Sequence, residues 1–122
     1  MEYDEKWLHI VKSQVPENVK LIFQAQDVDG EYCRVISATK DKYDVVIVDG
    51  RDRLNCMKQS MSAVSARGVI LLDESQIERY QEGIDFAKAR GFKALNLEGL
   101  KATGTEVDCT TIFYCARNCF DI

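Results

Sequence analysis

Two short runs constrain this chain more than anything else in it. Residues 43–50 read YDVVIVDG and residues 68–75 read GVILLDES. A strand with one wet face alternates apolar and polar residues, whereas these runs are apolar without interruption and then end in acid. Val45, Val46, Ile47 and Val48 are four consecutive β-branched aliphatics followed by Asp49. Such a strand needs cover on both faces, which is the condition of a parallel strand in an α/β sheet.

The remaining segments supply the crossovers that parallel strands require. Glu2 to Val15 places Trp7, Leu8, Ile10, Val11 and Val15 on one helical stripe, and Pro16 ends it. Val19 to Ala25 (VKLIFQA) predicts a strand, and Glu31 to Thr39 a short helix with Tyr32, Val35 and Ile36 inward. Arg53 to Ala66 predicts a helix broken at Gly68. Gln76 to Arg90 predicts another, with Ser75 as its cap, Glu78 completing a capping box and Gly91 as its stop. Phe92 to Leu97 and Thr110 to Ala116 are strands with no helix between them, so they form an antiparallel pair. The expected fold is α/β: a mostly parallel, Rossmann-like sheet with helices on both faces and an antiparallel C-terminal pair, in one domain over residues 1–122.

Charge and cysteine usage narrow the function classes. The net charge of -4 and the absence of any basic run argue against nucleic acid as a partner. No apolar stretch approaches a membrane span, and the polar opening MEYDEKW is not a signal peptide, so the expected location is cytoplasmic. Five cysteines without a CxxC pair read as reduced thiols. Cys109, Cys115 and Cys119 cluster near the C-terminus, but their spacing does not suit a zinc ribbon, and no metal is expected. The loop Asp27 to Glu31 (DVDGE) glances at a calcium loop, lacks the closing glutamate, and reads as a turn. His9, the only histidine, reads as a surface residue of the first helix.

An α/β sheet that finishes with an antiparallel pair resembles the class I S-adenosylmethionine-dependent methyltransferases. YDVVIVDGRDR is similar to that family's fourth strand and following loop, RGVILLDES to the fifth, GFKALNLEGL to the sixth and CTTIFYCARNCF to the seventh. The resemblance implies the C-terminal half of such an enzyme, starting just after the acid of the second strand that grips the donor's ribose. Neither GxGxG nor GxGxxG occurs, so the glycine-rich loop of the first strand has no counterpart. A sheet without its first two strands exposes an edge beside Val45 to Val48. The expectation is therefore a truncated domain without independent activity that self-associates as a homodimer; the alternative is a methyltransferase whose cofactor site another chain completes.

Ligands of open α/β sheets bind beyond the carboxyl ends of the strands. By resemblance, Asp27, Asp49 and Asp73 are the candidate residues toward S-adenosylmethionine, and Arg51, Arg53 and Glu74 those toward an acceptor. The plainer reading, favoured here for a shortened chain, makes the same groups helix caps and solvated strand ends.

Overall fold

The computed structural model describes residues 1–101 and 104–122. In chain order the elements are α1 (Glu5–Lys12), α2 (Glu31–Ala38), β1 (Tyr43–Val48), α3 (Arg53–Ala63), β2 (Val64–Leu72), a 3-10 turn (Glu78–Tyr80), α4 (Gln81–Ala89), β3 (Lys93–Leu100) and β4 (Val107–Tyr114). The strands form one sheet in the order β1-β2-β4-β3. β1 and β2 are parallel, and β4 runs antiparallel to both β2 and β3. The α/β class and the antiparallel ending are as expected, although the sheet is mixed rather than mostly parallel.

The two apolar runs sit at the centre of the packing. Val46, Val48, Ile70, Leu72 and Phe113 point to one face and meet Met57 of α3, Tyr80 and Ala87 in the main core. α2 packs on α3, α3 on β1 and β2, and α4 on α3 and β3, so these three helices cover a single face. By strand alternation the opposite face carries Ile47, Leu71, Ile112 and Leu95, which the strand register places side by side across the sheet. Ile47 and Leu95 in that row are exposed. Helical cover on both faces is thus realised on one among the described residues.

Four local expectations change. VKLIFQA does not join the sheet: only Phe23 pairs, in a parallel bridge to Glu2 fixed by Glu2 N–H to the Ile22 carbonyl (2.9 Å) and Gln24 N–H to that of Glu2 (3.0 Å). The first helix starts late for the same reason, with Asp4 as its cap: Asp4 Oδ1 accepts from the Lys6 and Trp7 amides at 2.9 and 3.1 Å. α3 stops at Ala63, because Gly68 lies inside β2 and not at a helix end. The β1–β2 register slips beside it, and a Cβ on Gly68 would stand against Val64 and 2.7 Å from the Tyr43 carbonyl. Ser75 does not cap α4; its hydroxyl donates to the Cys109 carbonyl (2.9 Å) and accepts from Thr111 (2.7 Å), tying β4 to the loop after β2. Gly91 does end α4, at φ +85°.

Candidate functional site at the strand ends

The carboxyl ends of β1 and β2 lie side by side, since Val48 pairs with Leu72. Each strand therefore delivers its acid, Asp49 or Asp73, to the same rim. Arg53, in the first turn of α3, reaches between them. Its Nη2 donates to Asp49 Oδ1 (3.0 Å), Nη1 to the Asp73 carbonyl (2.7 Å), and Nε to the Gly50 carbonyl (3.0 Å). Nη1 also lies 3.2 Å from Glu74 Oε2 and 3.4 Å from Asp73 Oδ2. The Arg53 side chain is only 11% exposed. A guanidinium this enclosed is a clamp on the two strand ends, with little surface left for a substrate.

The other acids of the rim are held as well. Glu74 takes the Lys101 ammonium at 2.6 Å, and this contact holds the lysine pKa above its ordinary value. Asp73 accepts from Thr110 Oγ1 (2.9 Å). Asp49 is the freest of the three. Partial burial first, then hydrogen bonding and charge from Asp73, push its carboxyl above the ordinary aspartate range against the pull of Arg53.

Asp27 stands apart from that cluster. Its carboxylate accepts from the Glu31 and Tyr32 amides (2.8 and 3.1 Å) and so caps α2, the role the plainer sequence reading gave it. The turn it closes is joined to the loop after β1 by Asp52, whose Oδ2 accepts from the Asp29 amide at 2.9 Å. Asp52 and Tyr32 were not legible as site residues. Tyr32 is buried and its hydroxyl accepts from the Arg51 amide (3.3 Å), while burial raises its pKa.

Arg51 turns away from Arg53 and toward the N-terminus. Its Nε donates to the Tyr3 hydroxyl (3.2 Å), with the guanidinium 5.4 Å from the Tyr3 ring centroid. Tyr3 in turn packs edge-on against Tyr32, at 6.4 Å between centroids. These residues form the mouth of a cleft of about 560 Å³ that runs along the outer edge of β1, with Glu2, Tyr3, Asp49, Gly50 and Arg51 at the rim and Ile22, Ile36 and the strand itself deeper in. Glu2 is an acid on the residue bridged to Phe23, a position the sequence reading left without a counterpart. Its Oε1 accepts from the Tyr3 and Asp4 amides (2.7 and 2.8 Å).

The thiols are structural in character. Cys56 is pushed up to about 12 by burial and by the charge of Asp52, and burial also raises Cys33. Cys109 is buried on β4, and Cys119 Sγ contacts the Asp44 carbonyl at 3.2 Å. Among the described residues no group of three histidine, cysteine or acidic side chains is placed to hold a metal, and no helix is long and apolar enough to cross a membrane.

The architecture has a solved counterpart. A precorrin-6y C5,15-methyltransferase from Geobacter metallireducens GS-15 superposes on 92% of this chain with a TM-score of 0.54 at 13% identity. The chain has a methyltransferase-like fold. It spans 64% of the length of that methyltransferase. No family model matches the sequence, and no curated protein matches it.

Proposed function

We propose that this chain is a methyltransferase-type domain whose donor end is the mouth formed by Glu2, Asp49 and Arg51, and that residues 1–122 do not turn over substrate alone. One observation carries the reading: within a methyltransferase-like fold, two carboxylates and a guanidinium converge with Tyr3 and Tyr32 beyond the carboxyl ends of the strands. The donor set suits S-adenosylmethionine. Glu2 and Asp49 can accept from hydroxyl and ammonium groups, Arg51 can pair with a carboxylate, and the tyrosine rings give apolar sides. When bound, that molecule supplies a transferable methyl group. The chain's own contribution is to orient it, because Tyr3 and Tyr32 hold Arg51 and the backbone after β1 in place. Arg53, Asp73 and Glu74 keep the rim rigid, and Asp27 fixes α2 behind it.

The test is a titration with S-adenosylhomocysteine followed by thermal shift and by amide chemical shifts. A ligand at ten times its Kd stabilises the native state by about 1.4 kcal/mol. Millimolar ligand is expected to raise Tm and to move the Asp49–Arg51 amides, and Arg51→Ala to remove both effects. No response at millimolar ligand would reject donor binding by this chain.

A second reading, self-association as a homodimer, rests on β3. All eight residues of this edge strand are exposed, with Leu95, Leu97 and Leu100 among them. Bare apolar edges pair with their like. Light scattering at micromolar concentration is expected to give twice the 13.9 kDa chain mass, and a monomer would end this reading.

A further inference from the structure

The helix-covered face of the sheet changes character along the β3–β4 pair. The register sets Ala94 against Phe113, Asn96 against Thr111 and Glu98 against Cys109. By strand alternation these side chains share the face that carries the core, since Phe113 belongs to it. The next pair toward the carboxyl end of β3 is nonetheless an amide and a hydroxyl, and the pair after that an acid and a thiol. Thr111, Cys109 and the adjoining Ser75 are buried, although buried polar groups cost free energy unless they are paired. They form the floor of a cavity of about 500 Å³ between α4 and β3, with Ile84, Phe92 and Ala94 as its apolar sides.

Pairing on this floor is a matter of counting protons. Thr111 Oγ1 lies 2.7 Å from Ser75 Oγ and 2.9 Å from the side-chain amide of Asn96, and Ser75 Oγ lies 2.9 Å from the Cys109 carbonyl. Two hydroxyls bring two protons to these three contacts. The third proton comes from Asn96 when its amide turns Nδ2 toward Thr111, a half-turn that leaves the shape of the side chain unchanged. Asn96 then donates to Thr111, Thr111 to Ser75 and Ser75 to the carbonyl. The oxygen and second N–H of Asn96 are left for the cavity. Lys88 and Lys93 stand at one end of the cavity and Glu98 at the other. Among the described residues none of these three forms an ion pair.

We propose that this cavity binds a short zwitterionic peptide of about three residues, with its ammonium at Glu98, its carboxylate at Lys88 and Lys93, and an internal amide on Asn96. Opposite charges at the two ends of a cavity select a ligand that carries the complementary charges at its own ends. The free oxygen and N–H of Asn96 are the complement of a peptide group, which offers one donor and one acceptor. Length follows from the strand. Lys93 and Glu98 stand about 16 Å apart along β3 at the usual strand rise. An extended tripeptide spans about 10 Å, and an ionic contact of about 3 Å at each end completes the distance. Ile84, Phe92 and Ala94 suit small apolar side chains. The cavity is separate from the mouth at Asp49 and Arg51. In the order β1-β2-β4-β3 it lies three strands away, about 14 Å, which is far beyond the contact distance of a methyl acceptor.

Peptide binding here does not depend on donor binding, and its test is separate. The isotope-labelled chain is titrated with trialanine carrying free termini, and in parallel with the same peptide acetylated and amidated, and with acetate alone. Millimolar trialanine is expected to move the amides of Asn96, Glu98 and Thr111 and the side-chain amide of Asn96, leaving Asp49–Arg51 unchanged. Glu98→Gln and Lys88→Gln, both at exposed positions, should each weaken binding by about tenfold, the loss of one charge-assisted contact. Asn96→Ala should weaken it at least as much, and the two charge variants keep the test open if this one fails to fold. Equal shifts with the blocked peptide or with acetate, unchanged affinity in both charge variants, or no shift at millimolar trialanine would overturn the proposal. Shifts around Asn96 without any response to S-adenosylhomocysteine would keep the peptide site and reject the donor reading.

Discussion

At the β1 edge the strand ends are tied down by one enclosed guanidinium, whereas at the β3 edge eight consecutive residues lie open. Both strands border the same sheet, and both leave backbone groups without a neighbouring strand. What differs is the company each keeps. β1 has Met1, Glu2 and Tyr3 across a cleft, a mouth of charged and aromatic groups, and a bulge where β2 slips past Tyr43. β3 has its antiparallel partner β4 on one side and, among the described residues, no strand on the other. The lesson is that an unpaired strand acquires a specific role when the surrounding chain shapes the space beside it. An open edge invites pairing with any complementary strand, its own copy included.

Removing the clamp should produce the largest effect. Arg53→Met leaves Asp49, Asp73 and Glu74 around a group that no longer carries charge. Loss of one partner from a buried ionic cluster costs about 3–5 kcal/mol. Asp49 is 62% exposed and Asp73 32%, so the expected loss lies at the lower end, about 3 kcal/mol. Urea unfolding checks this, and a change below about 1 kcal/mol would mean that water already satisfies the strand-end acids.

At the other edge the same experiment should show almost nothing. Leu97→Lys replaces an exposed side chain and should alter monomer stability by no more than about 0.5 kcal/mol. Its effect is expected in mass: light scattering should fall from dimer to monomer. An unchanged dimer would place the self-association surface elsewhere, with the exposed Ile47 on the sheet face opposite the helices as the next residue to mutate.

The sequence exposes the two edges unequally. VVIVD and VILLD are legible as strands because continuity of apolar residues is a local property, and the acids that follow them fall at the strand ends by the same logic. The cover expected on both faces fails for VVIVD, where Val45 and Ile47 are exposed. The exposed state of β3 is less legible, since GFKALNLEGL has the residues of a strand whatever lies beside it. VKLIFQA misleads for the same reason: a strand needs a neighbour, and the only described one is the short segment at Glu2. Ser75 and Gly68 are decided by residues far along the chain, Cys109 for the first and Tyr43 for the second. The six candidate residues do gather at one end of the fold, but they divide there. Arg53, Asp73 and Glu74 neutralise one another, Asp27 caps a helix, and Asp49 and Arg51 remain at the cleft. Spacing in sequence carries the shared location and not the division, because hydrogen-bond partners belong to tertiary contacts.

The smallest expected effect tests that division most finely. Asp49 has a carboxyl pKa raised by partial burial and by Asp73. A carboxyl raised in the folded state binds its proton more tightly there than in the unfolded chain. It therefore lowers stability at neutral pH, and the penalty disappears as pH falls through the raised folded value toward the ordinary aspartate value of 3.8. Asp49→Asn removes the penalty while its amide oxygen can still accept from Arg53. The variant should be more stable than the parent at pH 7, and the two should converge below the ordinary aspartate range. Tm measured across that interval reads the sign directly. A variant less stable at pH 7 would mean that the ion pair with Arg53 outweighs the crowding of carboxylates. Asp49 would then join Asp73 and Glu74 as part of the clamp, leaving Arg51 and Glu2 to define the mouth of the cleft.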